Sequence, residues 1–431
     1  THRGTIHAPH VVICCGIWGP LIGEMTGEDL PIMPVEHPLL WFGPYEEFNG
    51  TGQEIGYPLL RDQGNSAYLR DTGDPVTSEG GYIEWGYYEE KAPRLVHAGN
   101  ILDKEQARLS PSQRDLDMEQ IMEPLERAME LTPILGELGL DEKRSFNGLL
   151  SVTADGASLI GESSQTDGLW FCEAVWVKDG PGAGKIVADW MTDGRTHMDH
   201  HGVDLNRFYP VQNSPSHGFD RCYETAFKIY NPPVHPREPY SMGRNLRRSP
   251  FWPREQELGG YFMEAGGWER AHGYVANEHL LERYGDRIPE RTNEWDGRHF
   301  WRVSNAEHLA LSESVGMINL SHFAVFDVHG PHAEDLMEYA SVAKVGGNTP
   351  AGKGVYTHFL DHEGGVQADL TVIRLSDDRW RVICGGDTGN RDRVWLQRLA
   401  RRRELCVEIE DHTDHLACLG LWGPQARTTL Q

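Results

Sequence analysis

The chain has 431 residues, long enough for about two to four domains of ordinary size. Its 65 Asp and Glu residues outnumber its 40 Lys and Arg residues, which gives a formal net charge of −25. A chain this acidic repels phosphate backbones and anionic lipid surfaces, which argues against nucleic acid and membranes as partners. The 13 Trp, 15 Tyr and 13 Phe residues supply enough large apolar surface for packed cores.

The longest apolar stretch, Val11–Gly23, is shorter than the roughly 20 residues that span a bilayer, and Pro20 interrupts it. No signal peptide is visible, and the seven cysteines have no metal-binding spacing. These features predict a reducing, cytoplasmic compartment. Because Thr1 lies shortly before a predicted strand and Gln431 lies in an apolar segment, we expect both ends to continue in a longer protein.

The pattern of the first half of the chain predicts mixed α/β structure. Val11–Cys15 is a continuous apolar run typical of a parallel strand buried on both faces. Short runs separated by Gly, Asp and Pro predict an antiparallel sheet between Pro31 and Val96. Apolar residues at helical spacing predict one helix from Ser112 to Leu138. Two more strands are predicted at Phe146–Val152 and Leu169–Val175.

The second half begins with a predicted helix, Ile186–Met191, which follows a glycine-rich loop. The stretch from Pro210 to Pro253 holds many of the 25 prolines, so it is not expected to form one packed helix or sheet. We therefore place a domain boundary there. After Gly259 an α+β region is predicted, with a helix at Ala306–Val315. Its strands are predicted at Ala324–Val328, Leu370–Leu375 and Trp380–Ile383.

Two glycine-containing segments are candidate cofactor sites. One is the loop Gly180-Pro181-Gly182-Ala183-Gly184-Lys185, which is not a P-loop because Ile186 follows the lysine, and which lacks the Gly-x-Gly-x-x-Gly spacing. Before a helix, such a loop still offers free N–H groups and a positive dipole end to an electron-rich group such as the pyrimidine edge of a flavin. The other is Gly16 and Trp18, after the first strand. For both, the alternative is a structural turn.

Candidate substrate residues lie in the predicted antiparallel sheet. His37 could bind substrate or transfer a proton near neutral pH, although a lone histidine is more often structural. Tyr68 and Arg70 are two residues apart, so they share one strand face. An aromatic ring beside a guanidinium suits the methyl groups and carboxylate of an amino acid. The alternative is an exposed cross-strand pair.

Asp369 is the candidate acid of the second half. It stands at the start of an otherwise apolar strand that we expect to be buried, so it needs a partner. That partner is either a ligand or an arginine, such as Arg374 or Arg381. Histidines and aspartates also cluster at 197–201 and 411–415. Neither cluster has a matching ligand set, so both are expected to be solvated and no metal site is predicted.

Several motifs of the chain occur together in one known family. The most specific run comprises Asn245-Leu246-Arg247, Ser249-Pro250-Phe251, Glu257-Leu258-Gly259 and Glu264-Ala265-Gly266-Gly267-Trp268-Glu269-Arg270. Further matches are Pro34-x-x-His37, Tyr68-x-Arg70, Phe146-Asn147-Gly148, Asp155-Gly156, Glu173-Ala174-Val175-Trp176, the 180–185 loop, Tyr356, Gly364-Gly365, Asp369 and Gly420-Leu421-Trp422-Gly423-Pro424. Over essentially the whole chain, these motifs resemble the dimethylglycine oxidase, dimethylglycine dehydrogenase and sarcosine dehydrogenase family.

The resemblance implies a multidomain α/β and α+β architecture. Residues 1–195 would be the C-terminal portion of an FAD-binding domain like those of glutathione reductase and D-amino-acid oxidase, with an antiparallel substrate sheet at about 31–145. Residues 196–255 would form a proline-rich connector or central domain. Residues 256–431 would be the N-terminal portion of a folate-binding domain similar to the glycine-cleavage T-protein, an aminomethyltransferase.

The resemblance also implies a reaction. FAD would take a hydride from the N-methyl carbon of an N-methylated glycine such as dimethylglycine or sarcosine, and tetrahydrofolate would capture the one-carbon unit. Oxygen or an electron-transfer flavoprotein would accept the electrons. The implied catalytic residues are His37, Tyr68 and Asp369, and the implied substrate-binding residues are Arg70 and Lys178. FAD would contact Gly16, Trp18, Gly180, Pro181, Gly182, Ala183 and Gly184, and folate would contact Tyr356 and Asp369.

Two departures keep alternatives open. The chain contains no Gly-x-Gly-x-x-Gly fingerprint, so by itself it would hold FAD weakly or not at all. Lys178 aligns with a carboxylate-binding lysine that close relatives do not all keep. One alternative is an amine oxidase with an inactive folate domain that releases formaldehyde. The other is a non-catalytic folate-binding or assembly module.

Overall fold

The computed structural model describes residues 3–48, 55–73, 81–102, 111–229, 238–293, 297 and 299–431. The strands in these ranges are β1 (Val11–Ile13), β2 (Ile32–Tyr45), β3 (Leu60–Asp62), β4 (Ala67–Thr72), β5 (Gly81–Tyr87), β6 (Gln113–Arg114), β7 (Phe146–Thr153), β8 (Leu159–Glu162), β9 (Leu169–Glu173), β10 (Gly260–Ala265), β11 (Trp268–Tyr274), β12 (Gly316–Asn319), β13 (Ala324–His329), β14 (Gly354–Leu360), β15 (Val366–Arg374), β16 (Arg379–Cys384), β17 (Glu408–Asp411) and β18 (Leu419–Trp422).

The helices are α1 (Gly19–Thr26), α2 (Met118–Leu131), α3 (Ile134–Glu137), α4 (Gly180–Asp193), α5 (Pro215–Lys228), α6 (Trp252–Glu257), α7 (Leu281–Tyr284), α8 (Trp301–Glu313), α9 (Ala333–Ala340), α10 (Gly389–Arg402) and α11 (Ala426–Leu430). Among the described residues, none of the helices has both the length and the apolar character needed to cross a bilayer.

The chain divides into two compact units whose segments alternate along the sequence. Unit 1 consists of Thr1–Ile160, Gly168–Lys185 and Ser214–Val234. Unit 2 consists of Gly161–Asp167, Ile186–Asn213 and His235–Gln431. The three-domain division at 195 and 255 stays a prediction.

Unit 1 is built around a six-stranded antiparallel sheet with the order β3-β4-β5-β2-β7-β6, as the turn-rich sequence predicts. Its core lies between one sheet face and helix α2, whose apolar residues recur at helical spacing. Leu40, Trp85 and Tyr87 of the sheet are almost completely buried there, together with Ile121 and Leu125 of the helix. The opposite face of the sheet is not part of this core, and it carries His37 and Tyr68.

The single helix predicted for Ser112–Leu138 is wrong, because this segment forms the two helices α2 and α3. Helix α2 begins after Asp117, whose side chain accepts a hydrogen bond from the Glu119 N–H at 3.0 Å and caps the helix. It ends before Thr132, which has φ −129° and ψ 75°. Pro133 follows, and a proline disfavours helical backbone at the residue before it.

The first strand is parallel to its neighbour, but its predicted burial on both faces is wrong. β1 pairs with β9 in the register Val11↔Leu169. In the three-stranded sheet β1-β9-β8 it is an edge strand. Its two faces are also incompletely covered, since Val11 is 46% exposed and Val12 is 39% exposed.

The proline-rich stretch contains a well-packed helix that the sequence analysis did not predict. Pro215 occupies the first turn of α5, where a missing N–H leaves no intrahelical bond unmade. The fully buried Cys222 thiol of this helix lies 3.3 Å from the Val152 carbonyl of β7, and Thr225 donates to the Ala154 carbonyl at 2.9 Å. Part of this stretch is therefore packed against the sheet of unit 1.

Unit 2 contains a five-stranded antiparallel sheet with the order β14-β15-β16-β13-β17. The predicted strands near 324, 370 and 380 are all found in it. Its core packs the buried side chains of Phe326, Trp380 and Val382 against Leu336 of α9 and Leu396 of α10. Two smaller sheets, β10-β11 and β12-β18, complete the unit in the described part of the chain.

Candidate functional site

A histidine–tyrosine contact lies on the sheet of unit 1. His37 of β2 is buried, and its Nε2 lies 2.8 Å from the hydroxyl oxygen of Tyr68 on β4. The ring of Tyr88, just after β5, lies 4.3 Å from the imidazole, centroid to centroid. The structure therefore brings two of the predicted catalytic residues together, although they are 31 positions apart in the sequence.

Gly86 explains how Tyr68 reaches across the intervening strand. Tyr68 and Gly86 are direct neighbours on β4 and β5, and Gly86 is in turn paired with Leu39 of β2. A Cβ at position 86 would lie 2.2 Å from Cζ of Tyr68, so only glycine leaves room for the ring. The sequence analysis missed this residue, although an isolated glycine inside a strand is a recognised sign of close approach.

The imidazole of His37 is neutral at physiological pH. Burial, reinforced by the positive charge of Arg61, lowers its pKa to about 4. With its proton on Nδ1, the neutral ring accepts the Tyr68 hydroxyl proton at Nε2; with its proton on Nε2, it donates to the hydroxyl oxygen. The tautomer of His37 therefore decides which of the two residues donates the hydrogen bond.

The two predicted substrate-binding cations have carboxylate neighbours. Arg70 Nε donates to Glu84 Oε2 at 2.6 Å, as a cross-strand ion pair between β4 and β5. Lys178 Nζ lies 2.8 Å from Asp179 Oδ2 and 5.8 Å from the ring of Trp176. Trp176 and His37 line one small cavity of about 20 Å³. The substrate-binding roles of Arg70 and Lys178 stay predictions.

The glycine-rich segment is the first turn of helix α4 rather than a loop before it. The helix begins at Gly180, six residues before the predicted start. No heavy atom lies within 4 Å of the position that a Cβ would take at Gly180, Gly182 or Gly184. The space beside these glycines is therefore open, and the dipole of the helix favours negative charge at its N-terminus.

The turn after β1 has the backbone that its glycine predicts. Gly16 has φ +57° and begins a single 3₁₀ turn that ends at Trp18. Positive φ is costly for other residues, so glycine is required here by conformation. The predicted cofactor contacts of Gly16 and Trp18 stay predictions.

Glu173 is a candidate residue that the sequence analysis did not select. It ends β9, is fully buried, and accepts a hydrogen bond from the Cys15 N–H at 2.6 Å. Burial raises its pKa to about 7. Its Oε2 has no hydrogen-bond partner among the described residues. The signal was visible in the sequence as an acid at the end of an apolar strand.

This region fits the flavin that the sequence analysis expected. It offers a buried carboxyl oxygen with capacity for a hydroxyl donor, a glycine turn at Gly16, and an open helix N-terminus at Gly180. Hydroxyl groups and electron-rich carbonyls are the partners that such groups prefer.

Asp369 does not have the buried environment that the sequence analysis expected. β15 alternates, so that Leu370 and Val372 point into the core while the side chain of Asp369 is exposed. The Tyr356 hydroxyl of β14 donates to Asp369 Oδ2 at 3.2 Å. The charge of Asp369 raises the pKa of Tyr356. The two residues predicted for folate thus form one pair on an exposed sheet face.

The ion-pair alternative for Asp369 is also not what the structure shows. Arg374 Nη2 lies 2.8 Å from Asp377, and Arg381 Nε lies 2.8 Å from the buried Asp327. Among the residues that the structure describes, no group of three or more His, Cys, Asp or Glu side chains is arranged to hold a metal ion.

Comparison with protein families gives three matches along the chain. Residues 1–190 match a family model described as "FAD dependent oxidoreductase", and residues 193–249 match "FAD dependent oxidoreductase central domain". Residues 251–431 match "GCVT N-terminal domain". The expected fold class, an FAD-dependent oxidoreductase domain followed by an aminomethyltransferase-like domain, is confirmed.

Three characterised relatives align with the whole chain. 4-Methylaminobutanoate oxidase (formaldehyde-forming) of Paenarthrobacter nicotinovorans is 32% identical over 441 residues. Mitochondrial sarcosine dehydrogenase of Homo sapiens is 27% identical over 466 residues, and mitochondrial dimethylglycine dehydrogenase of Rattus norvegicus is 26% identical over 437 residues. Each alignment covers 100% of this chain and 48% of the relative, so the chain spans about half the length of these relatives.

Proposed function

Because the chain belongs to the dimethylglycine oxidase, dimethylglycine dehydrogenase and sarcosine dehydrogenase family, we propose that it is part of an FAD-dependent oxidoreductase that oxidises the N-methyl group of an N-methylated glycine. We further propose that the one-carbon unit passes to tetrahydrofolate on the aminomethyltransferase-like domain. The observation that carries the proposal is the buried contact between His37 and Tyr68.

His37 supports amine oxidation through its protonation state. An amine can lose a hydride from its methyl carbon only when its nitrogen lone pair is free, so the bound ammonium must lose a proton. A neutral imidazole adds no charge that would repel the bound amine, and its Nε2 lies 2.8 Å from the Tyr68 hydroxyl oxygen. The aromatic rings around His37 exclude water, which favours the neutral form of the amine.

The residues proposed to hold FAD are those of the two open backbone segments. Gly180, Gly182 and Gly184 would give its electron-rich edge access to free N–H groups, and Gly16 and Glu173 would lie beside another part of it. When bound, FAD supplies the acceptor for the hydride. The role of the chain is to bind, orient and desolvate the amine.

The pair on the sheet of unit 2 supports the folate step. Asp369 is a carboxylate that can accept N–H groups of a pterin, and Tyr356 holds one of its oxygens at 3.2 Å. The exposed face leaves the remaining lone pairs accessible to a ligand. We propose that Asp369 positions the reactive amine of tetrahydrofolate.

A second candidate substrate is a longer N-methylated amino acid, oxidised with release of formaldehyde. It is favoured by the 32% identity to 4-methylaminobutanoate oxidase (formaldehyde-forming), against 27% and 26% for the sarcosine and dimethylglycine dehydrogenases. The same His37–Tyr68 site would serve this substrate, because the reacting group is again an N-methylamine.

The test uses the FAD-loaded protein that contains this chain. It is mixed without oxygen with dimethylglycine, sarcosine or 4-methylaminobutanoate, and bleaching of the flavin is followed in a stopped-flow instrument. Formaldehyde and methylene-tetrahydrofolate are then measured with and without tetrahydrofolate. Reoxidation by air or by an electron-transfer flavoprotein identifies the acceptor. Failure of all three amines to reduce the flavin would overturn the proposal.

A further inference from the structure

A cavity that the proposed reaction does not use lies beside helix α10 in unit 2. Its volume is about 440 Å³, which is in the range typical of small-molecule sites. The apolar part of its wall consists of Trp190, Met198, Val366, Trp395 and Leu399. The positive part consists of Arg195, Arg398 and Arg402. The cavity thus joins an apolar surface to a group of cations.

Helix α10, which forms one wall of this cavity, packs on the face of the five-stranded sheet opposite to Asp369. Its Trp395 stacks on Phe359 of β14, a completely buried side chain, with ring centroids 5.6 Å apart. Asp369 lies on the other face, because β15 alternates and both Ala368 and Leu370 are buried. The α10 wall is therefore separated from the proposed folate residues by the sheet.

Arg398 is the arginine of this wall whose charge is least compensated. Only 7% of the residue is exposed, and its Nη2 donates to the backbone carbonyl of Glu162. Its Nε has no hydrogen-bond partner among the described residues. In the same described ranges, no carboxylate oxygen lies within 4.0 Å of its guanidinium nitrogens. Arg398 is thus a buried cation bonded to a neutral carbonyl.

The other two arginines of the wall each have a carboxylate partner. Arg195 Nη1 lies 3.7 Å from Asp361 Oδ2, and its Nη2 forms an ion pair with Glu363. Arg402 Nη2 lies 3.1 Å from Glu162 Oε2. The wall therefore retains one buried positive charge that a ligand could balance.

This buried charge costs free energy until an anion balances it. Burial lowers the pKa of Arg398, and this effect outweighs the attraction of the Asp204 and Glu162 carboxylates. An arginine stays protonated at neutral pH, so it cannot avoid the cost by losing its proton as a buried lysine can. A bound anion would supply the missing negative charge.

We infer that the cavity binds an organic monocarboxylate, with the carboxylate on Arg398 and the apolar body against Trp190, Trp395 and Leu399. The Nε–H group of Arg398 is a donor that its bond to Glu162 does not use. A guanidinium can bind both oxygens of one carboxylate. None of these residues belongs to the proposed amine site, so binding here would be independent of amine oxidation.

The charges of the wall favour a single negative charge over two. Asp199 and Asp361 also line the cavity, so a dianion such as a phosphate monoester would be repelled more strongly than a carboxylate. His200 and His201 are further lining residues, and burial lowers the pKa of both. They therefore add no positive charge at neutral pH that would offset the two aspartates.

The experiment measures binding of three naphthalene probes by calorimetry to the FAD-loaded protein that contains this chain. 2-Naphthoate carries one negative charge, 2-naphthamide is its neutral analogue, and 2-naphthyl phosphate carries up to two charges. The proteins are the wild type, Arg398→Met, Arg398→Lys and the matched control Arg401→Gln. Arg401 lies on the same helix and contacts Asp167 at 3.1 Å, so its loss changes the net charge equally.

We expect Arg398→Met to weaken binding of 2-naphthoate by about 10- to 100-fold, because a charge-assisted contact is lost. 2-Naphthamide should bind the wild type more weakly than 2-naphthoate by a similar factor, and Arg398→Met should change its affinity by less than about twofold. 2-Naphthyl phosphate should also bind the wild type more weakly than 2-naphthoate. Arg398→Lys should recover part of the affinity, and Arg401→Gln should match the wild type.

Melting temperatures separate loss of the site from loss of the fold. Without a probe, Arg398→Met should melt no lower than the wild type, because the variant no longer buries an uncompensated charge. Saturating 2-naphthoate should raise the melting temperature of the wild type and leave that of Arg398→Met unchanged. Where Arg398→Met does not fold, the comparison of acid with amide on the wild type and Arg398→Lys decides.

Four results would overturn the inference. They are no binding of 2-naphthoate to the wild type, equal affinity of the wild type for acid and amide, equal affinity of wild type and Arg398→Met for the acid, and displacement of 2-naphthoate by tetrahydrofolate or trimethylglycine. Displacement would place the probe in the folate site or the amine site. Tighter binding of the phosphate than of the carboxylate would contradict the choice of a monocarboxylate.

Discussion

The two units each carry a polar pair that contains a tyrosine on an antiparallel sheet, but the surroundings differ. In unit 1, His37 is buried and Tyr68 covers it at 2.8 Å. In unit 2, Tyr356 is 64% exposed and its partner Asp369, at 3.2 Å, is exposed too. Desolvation therefore dominates the first pair and lowers the pKa of His37, while a neighbouring charge dominates the second and raises the pKa of Tyr356.

This difference indicates two kinds of chemistry. A buried, uncharged pair desolvates a small ligand that it encloses, which favours the neutral form of an amine. An exposed carboxylate instead contacts part of a larger ligand that covers it on binding. The two half-reactions proposed above are therefore expected to respond to different substitutions.

The largest effect is expected for Gly86→Ala. The added Cβ would lie 2.2 Å from Tyr68, so the ring must leave its position over β5 and lose contact with His37. Flavin reduction by an N-methylated amino acid should slow by about 100-fold, the upper limit of what loss of the His37–Tyr68 contact can cause. Gly64→Ala is the matched control, because its Cβ would meet only Asp62 at 3.7 Å. Unchanged flavin reduction in Gly86→Ala would mean that the His37–Tyr68 contact is not needed.

The next effect is expected for His37→Ala and Tyr68→Phe. Each should slow flavin reduction by about 100-fold or less, because these residues support the hydride transfer rather than perform it. One-carbon transfer to tetrahydrofolate, assayed with supplied formaldehyde, should stay normal. Equal losses in both assays would contradict the separation of the two units.

The pH dependence of stability gives a third, smaller effect. The pKa of His37 is about 4 in the folded protein and ~6.5 when unfolded, so between these values the unfolded state binds more protons. The contribution of neutral His37 to the free energy of unfolding is therefore fully present above about pH 6.5 and is lost as the pH falls toward 4. We expect about 3 kcal/mol of unfolding free energy to be lost over this range. Urea titrations at several pH values give the unfolding free energy as a function of pH. Between about pH 6.5 and 4 this free energy should fall less steeply in His37→Gln than in the wild type, and an identical fall would refute the assignment.

The smallest effect is expected for Asp369→Asn. Amine oxidation should stay near normal, while formation of methylene-tetrahydrofolate should fall about tenfold and formaldehyde should rise, because a neutral amide binds pterin N–H groups less strongly. Asp377→Asn removes a 99% exposed acid of the same unit and serves as the control. If both half-reactions fall together with the melting temperature, Asp369 is structural.

The sequence was sufficient for most elements because their patterns are local. Alternation and turn residues predicted the antiparallel sheet of unit 1, and motifs that match the family located His37 and Tyr68. The alternation of residues along β15 would also have placed the side chain of Asp369 on the exposed face. Ala368, Leu370 and Val372 lie on the buried face, so Asp369 lies on the other. The sequence analysis treated the whole strand as apolar and therefore expected Asp369 to be buried.

The remaining features depend on contacts between strands that are distant in sequence. Gly86 matters only because Tyr68 crosses it to reach His37. The early start of α4 was missed for a different reason. Glycine and proline usually indicate a loop, but in a first helical turn Pro181 is favourable because its fixed φ suits the helix.

The alternating segments of the two units have a consequence for synthesis and truncation. A cut at any one peptide bond leaves pieces of both units on at least one side, because Ser214–Val234 belongs to unit 1 and follows two segments of unit 2. On the ribosome, unit 1 therefore stays incomplete until its last segment emerges, long after its sheet strands have been made. Helix α5, whose thiol lies against the Val152 carbonyl, is thus a late closing piece for a sheet begun some 180 residues earlier.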